Sequence, residues 1–189
     1  MVTKRKLLAQ DLAECGIFVA LMVAAAFIQI PFPLVPLTFQ TVVSVLAGLM
    51  LGAKKGTISM TVYMVLGLIG LPVFTAGGGI YYVLKPSFGY ILGFIVAAAT
   101  AGLIAGRAGL PLWRYIFAAF VAFLADYAVG IPYCIVAAHL LGVKDLLNLF
   151  IVGNLLYMPK DAALCLLAAI LARKVCPLIG VAIKKRAGK

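Results

Sequence analysis
The sequence predicts an all-α membrane protein, with six transmembrane helices forming a single domain over residues 1–189. Three observations carry that prediction. Hydrophobic residues make up 66% of the chain and charged residues 11%, against roughly 45–50% and about 25% in soluble domains. A soluble core of 189 residues could not hide so much apolar surface, so lipid must take it. The remaining charges punctuate the apolar runs instead of gathering on one patch, as they do in loops between membrane spans.

Each span is placed by an uncharged stretch long enough to cross the hydrocarbon as a helix, about 20 residues. Residues 12–30 form the first, with Glu14 at its mouth. The basic start that precedes it resembles a signal peptide, but no small-x-small cleavage site follows, so it reads as a retained span. Residues 31–36, PFPLVP, are a proline-rich turn that no helix continues through. The second span covers 37–53 and is closed by Lys54 and Lys55. The third fills 57–73, ended by Pro72 and the glycine-rich TAGGG at 75–79. The fourth covers 87–106, closed by Arg107. The fifth covers 114–139 and carries Asp126, and the sixth covers 148–172 and carries Lys160 and Asp161. The tail from Arg173 onward is basic.

Six spans put both termini on one side, and the positive-inside rule names the side. Of the 16 Lys and Arg residues, all but Lys85, Lys144 and Lys160 fall in the two terminal segments or in the loops around 54–55 and 107–114. Both termini are therefore expected in the cytoplasm. The PFPLVP turn, the loop 75–86 and the loop 140–147 are expected together on the outside. The formal net charge of +11 does not signal nucleic acid, because the basic residues share no face or helix. Cys15, Cys134, Cys165 and Cys176 lie in or beside apolar runs without CxxC spacing, and read as small core or lipid-embedded residues.

Charges deep in a bilayer are costly, so Lys160 and Asp161 are the first candidates for a site that captures a polar small molecule. On a helix, Asn154, Tyr157 and Asp161 share one face, with Lys160 turned about 100° away on its flank. Pro159 is expected to bend that helix. A structural ion pair is the competing role, with Asp126 as partner. Asp126 lies about 18 Å deep counting from Arg114, and Lys160 about 20 Å deep counting from Arg173. The stretch TAGGGIYYVLKPSFGY (75–90) is the second candidate. Gly77, Gly78 and Gly79 free the backbone to approach a ligand or to close as a lid. Tyr81, Tyr82 and Tyr90 add flat faces with hydroxyl tips, and would otherwise serve as interfacial anchors. No phosphate-binding GxGxxG or GxxxxGK[ST] is present. Gly16, Ala20 and Ala24 make a small-residue stripe on the first span, suited to close packing inside the bundle or to docking on another membrane protein. His139, the one histidine, is expected as an interfacial polar residue, with no HExxH or nucleophile–base pairing around it.

Several stretches together resemble the BioY family, the biotin-specific S components of energy-coupling factor (ECF) transporters. The carrying residues are PLVPLTFQT (33–41), LAGLMLGAKKG (46–56), GLIGLPVFTAGGG (67–79), KPSFGYILGF (85–94), GIPY (130–133) and MPKDA (158–162). The resemblance implies a six-helix S-component bundle in a bacterial plasma membrane that binds biotin and holds no cofactor. It implies a transmembrane coupling subunit and two ATPase subunits as partners. ATP would be used there, and the stripe Gly16, Ala20 and Ala24 would face the coupling subunit. The chemistry agrees: a carboxylate such as Asp161 accepts from the ureido N–H groups of biotin, Lys160 or Lys85 meets its carbonyl or its carboxylate tail, and tyrosines with Phe88 sandwich its ring. The family's sixth helix carries an Asp followed three residues later by a Lys. Here the Asp matches Asp161, while the Lys position is Leu164. Lys160, one turn before Leu164, is expected to replace the missing lysine. Some family members also carry an Asn in the glycine loop and an Arg after the GY pair, where this chain has Gly and Ile91. Capture of another vitamin is the alternative within the class. A small intramembrane transferase or protease would need clustered acids or a paired base and nucleophile, and a channel would need a charge ring or filter repeat.

Overall fold
A computed structural model describes the backbone of residues 2–30, 35–105, 110–145 and 157–187, with side chains between residues 9 and 177. These residues form α1 (Val2–Phe27), α2 (Gln40–Leu68), α3 (Phe88–Ala105), α4 (Leu112–Leu140) and α5 (Met158–Ala187), with a 3-10 turn at Ile80–Leu84 before α3. Helices α1 to α4 each contain a stretch long and apolar enough to cross a membrane. The fourth and fifth expected spans correspond closely to α3 and α4.

The second and third expected spans form one helical run, α2, broken at Gly52. There φ is 80° and ψ 171°, a conformation that glycine alone adopts without strain. The two arms fold back on each other. A Cβ at Gly56 would stand 3.1 Å from the Ala47 carbonyl, and Gln40 donates to the Tyr63 hydroxyl at 2.7 Å. The first arm begins at Gln40, not at 37, because Ile30 and Leu37 pair through two backbone hydrogen bonds and hold the approach extended. The second arm ends at Leu68, not at 73, because Gly70 turns the chain at φ 109° ahead of Pro72.

The sixth expected span is also corrected. Helix α5 begins at Met158 and runs past 172 to Ala187, while residues 146–156, including Asn154, lie outside the described residues. Pro159 therefore falls in the first turn, where its missing N–H costs nothing, and it does not bend the helix.

Helix α3 is central, with α2 on one side and α4 on the other; α1 packs on α2, and α5 on α4 and α2. Small residues bring the backbones close. A Cβ at Gly48 would lie 2.3 Å from the Ala98 carbonyl, and one at Gly102 would lie 2.1 Å from the Ala53 nitrogen. Phe18, Met22, Ala25 and Ala26 of α1 pack inward. Gly16, Ala20 and Ala24 do not: all three are exposed, and a Cβ at Gly16 would meet nothing within 4 Å. The stripe is thus left open to the outside of the bundle. At the turn of α2, Lys55 binds Asp11 at 3.0 Å and Glu14 at 2.6 Å, which ties α1 to that end. All four cysteines are free, and Cys134, Cys165 and Cys176 are buried, as their apolar surroundings led one to expect.

Candidate functional site
A cavity opens at the end of the bundle opposite the Gly52 turn. The empty space there, with the open solvent at its mouth counted in, is about 540 Å³. Four elements and two loops line it. The extended segment 35–39 and the start of α2 supply Thr38, Gln40 and Thr41. The second arm of α2 supplies Tyr63, and the strap before α3 supplies Phe74, Thr75, Tyr82 and Ser87. Tyr90 and Phe94 come from α3, Tyr127 from α4, Tyr157 from the turn before α5, and Lys160 and Asp161 from the first turn of α5.

Lys160 and Asp161 face this hollow together. The Lys160 ammonium stands 2.7 Å from Asp161 Oδ1 and donates to the Thr38 carbonyl at 2.6 Å. It also lies 5.6 Å from the centre of the Phe39 ring. Asp161 Oδ2 accepts from the Tyr127 hydroxyl at 2.6 Å. The carboxylate, only 5% exposed, is thus held from both sides, while Lys160 reaches towards the mouth. The expected Lys160–Asp126 pair is not formed. Lys160 belongs to the first turn of α5 and turns to its neighbour and to Thr38, away from α4. Asp126 is fully buried on α4, where Gly93 makes room: a Cβ at Gly93 would lie 2.1 Å from Asp126 Oδ1. The Thr41 side chain is its polar neighbour, yet neither Asp126 oxygen completes a hydrogen bond of normal geometry among the described residues.

Aromatic rings form the walls. Tyr63 meets Phe74 edge-on at 5.4 Å, and Phe74 leans on Tyr82 at 4.5 Å. Tyr90 meets Tyr127 edge-on at 5.7 Å. Their hydroxyls join a polar rim: Gln40 donates to Tyr63, which donates to the Val73 carbonyl at 3.1 Å. Thr75 and Tyr82 share a hydrogen bond of 2.8 Å, and Ser87 donates to Tyr82 at 3.3 Å.

Of the residues singled out in the sequence, Asp161, Lys160, Tyr157, Tyr82 and Tyr90 line the cavity. Gly77, Gly78, Gly79, Lys85 and Phe88 shape the strap beside it. Gly77 and Gly79 have φ of 99° and 110°, and a Cβ at Gly78 would strike the Leu71 carbonyl at 2.1 Å. Lys85 donates to the Ala76 carbonyl at 3.2 Å and covers the Tyr82 ring. Phe88 is buried against Tyr133. His139 is exposed near the end of α4. Sequence reasoning missed Thr38, Gln40, Thr41, Tyr63 and Tyr127, and held Thr75 and Ser87 only as part of the stretch 75–90. The available signal was the row of polar residues at 38, 40 and 41 just after the proline-rich turn.

Comparisons with known proteins converge on one family. The model of the BioY family matches residues 1–180. The probable biotin transporter BioY of Lysinibacillus sphaericus is 42% identical over 168 residues, spanning 87% of this chain and 86% of that protein. The probable biotin transporter BioY of Pyrococcus horikoshii is 34% identical and covers 88% of this chain and 96% of its own. A crystal structure of the S-component for biotin from an ECF-type ABC transporter superposes with a TM-score of 0.68 at 26% identity. It covers 93% of this chain and 94% of its own.

Proposed function
Because the chain belongs to the BioY family, we propose that its polar cavity captures biotin, and that the protein is the membrane-embedded biotin-binding subunit of an ECF transporter. It is a transport protein and not an enzyme. The observation that carries the reading is the placement of Lys160 and Asp161 in one cavity beside a wall of tyrosines.

The chemistry of biotin fits that placement. Asp161 accepts from the ureido N–H groups, and the adjacent Lys160 ammonium meets the ureido carbonyl, so one ion pair offers both an acceptor and a donor. Tyr90, Tyr127 and Phe74 offer flat faces to the apolar thioether ring. The hydroxyls of Thr75, Tyr82 and Ser87 supply neutral donors for the carboxylate tail. No cofactor takes part in binding.

The wider arrangement is proposed on the same footing. The two arms of α2 count as two spans, which with α1, α3, α4 and α5 makes six. The Lys and Arg residues near the Gly52 turn and the termini support an orientation with that end in the cytoplasm of a bacterium and the cavity facing outward across the plasma membrane. The open stripe of Gly16, Ala20 and Ala24 faces a transmembrane coupling subunit, and two ATPase subunits supply the energy. Bound radiolabelled biotin tests the substrate. Excess unlabelled biotin is expected to displace it, and thiamine or riboflavin is not. Equal displacement by another vitamin, or no bound label, contradicts the reading.

A further inference from the structure
Among the described residues, a side chain of α4 fastens the strap over the cavity. Tyr133 donates from its hydroxyl to the Val83 carbonyl, in the middle of the 3-10 turn Ile80–Leu84. The same residue is interlocked with the start of α3. Its ring leans on Phe88 at 5.9 Å, and a Cβ at Gly89 would lie 2.5 Å from the Tyr133 Cβ. The fit is reciprocal: a Cβ at Gly130 would lie 2.5 Å from the Tyr90 ring. So Gly89 receives Tyr133 and Gly130 receives Tyr90, which itself lines the cavity. Tyr133 is half-buried and does not line the cavity, so its role is not ligand contact.

We propose that Tyr133 is a positioning residue that latches the strap 79–85 over the cavity and thereby sets how long a bound ligand stays. The strap is anchored at its start by the Gly79 amide, which donates to the Gly67 carbonyl of α2 at 2.7 Å, and further along by the buried Tyr82 and by Lys85, which donates to the Ala76 carbonyl; Tyr133 is the hold that α4 puts on the turn between them. Its internal bonds are short-range, from the Tyr82 amide to Gly79 and from the Lys85 amide to Tyr82. Ile80, Tyr81 and Leu84 are exposed. Phe74, Thr75, Tyr82 and Ser87, which wall the cavity, flank or belong to this segment. Lifting the 3-10 turn requires breaking the Tyr133 bond, at the cost of one net hydrogen bond. The interlock with Tyr90 lets the cavity wall feel the state of the latch. The proposal rests on the cavity being a ligand site.

The variant Tyr133→Phe, in the full chain in nanodiscs, keeps the ring against Phe88 and Gly89 and removes only the hydroxyl. Without biotin, backbone hydrogen exchange in 79–85 is expected to rise roughly five- to tenfold, the weight of one net hydrogen bond. Exchange in α2 and α3 and the thermal midpoint should stay as in the wild type. The biotin dissociation rate should rise by a similar factor, with the association rate changed less than twofold. Unchanged exchange in 79–85 overturns the latch, and so does an equal rise throughout α2 and α3, which would mark Tyr133 as a general packing residue. Absence of biotin binding by the wild type would sink the functional reading alone, because the exchange measurement needs no ligand.

Discussion
Lys160 carries two attachments at once, to Asp161 at 2.7 Å and to the Thr38 carbonyl at 2.6 Å. It therefore joins α5 to the segment that approaches α2. A hydrogen bond to a charged group contributes about 1.5–3 kcal/mol, so Lys160→Met is expected to weaken biotin binding by about ten- to a hundredfold in a calorimetric titration. An unchanged affinity would remove Lys160 from the site. Tyr127→Phe takes away the donor to Asp161 Oδ2. It is expected to weaken binding about tenfold while the cavity keeps its ring. The charged pair was legible in the sequence because a charge within an apolar run stands out. Tyr63 and Tyr127 were not, since a single neutral polar residue on an apolar helix gives no such contrast. The Lys160–Asp126 pair was inferred from depth along two helices. Depth does not fix azimuth, and Lys160 turned the other way.

Helix breaks and close crossings decide the shape at the level of elements. Gly52 lets α2 reverse at φ 80°, and Gly102 lets α3 press on that reversal, with a Cβ there only 2.1 Å from the Ala53 nitrogen. The obstacle is backbone, so a methyl at 102 must push α3 away. Gly102→Ala is expected to cost about 1–3 kcal/mol, read as a lower thermal midpoint in detergent. A midpoint equal to wild type would mean that the α2–α3 contact is loose. Element types and most of their limits were legible from uncharged length, prolines and glycines. The reversal of α2 was legible as two spans around Lys54 and Lys55, but its tightness was not, because nothing in the local sequence states that residue 53 follows Gly52 straight back into helix. The limits of α5 were misplaced because its charges lie at the start of a helix and had been set in the middle of one.

At the scale of the whole molecule, charge and polarity separate along the bundle. Lys55, Asp11 and Glu14 gather at the Gly52 end, and the cavity opens at the other. The proposed topology predicts that Tyr81→Cys, at a position 82% exposed beside the cavity, reacts with a membrane-impermeant maleimide in intact cells. Lys54→Cys, at the opposite end, should react only after permeabilisation. The reverse pattern would invert the orientation. The open stripe on α1 could not be assigned to internal or external packing from its spacing, because i, i+4, i+8 serves both; only the position of α1 at the edge of the bundle leaves it outside. The central claim is that the buried carboxylate of Asp161 exists to bind biotin, and calorimetric comparison of the purified chain with Asp161→Asn tests it most directly. One saturable site that weakens about ten- to a hundredfold in the variant is predicted from the loss of one charged acceptor, with the thermal midpoint retained. Equal affinity for biotin in the two proteins would contradict it.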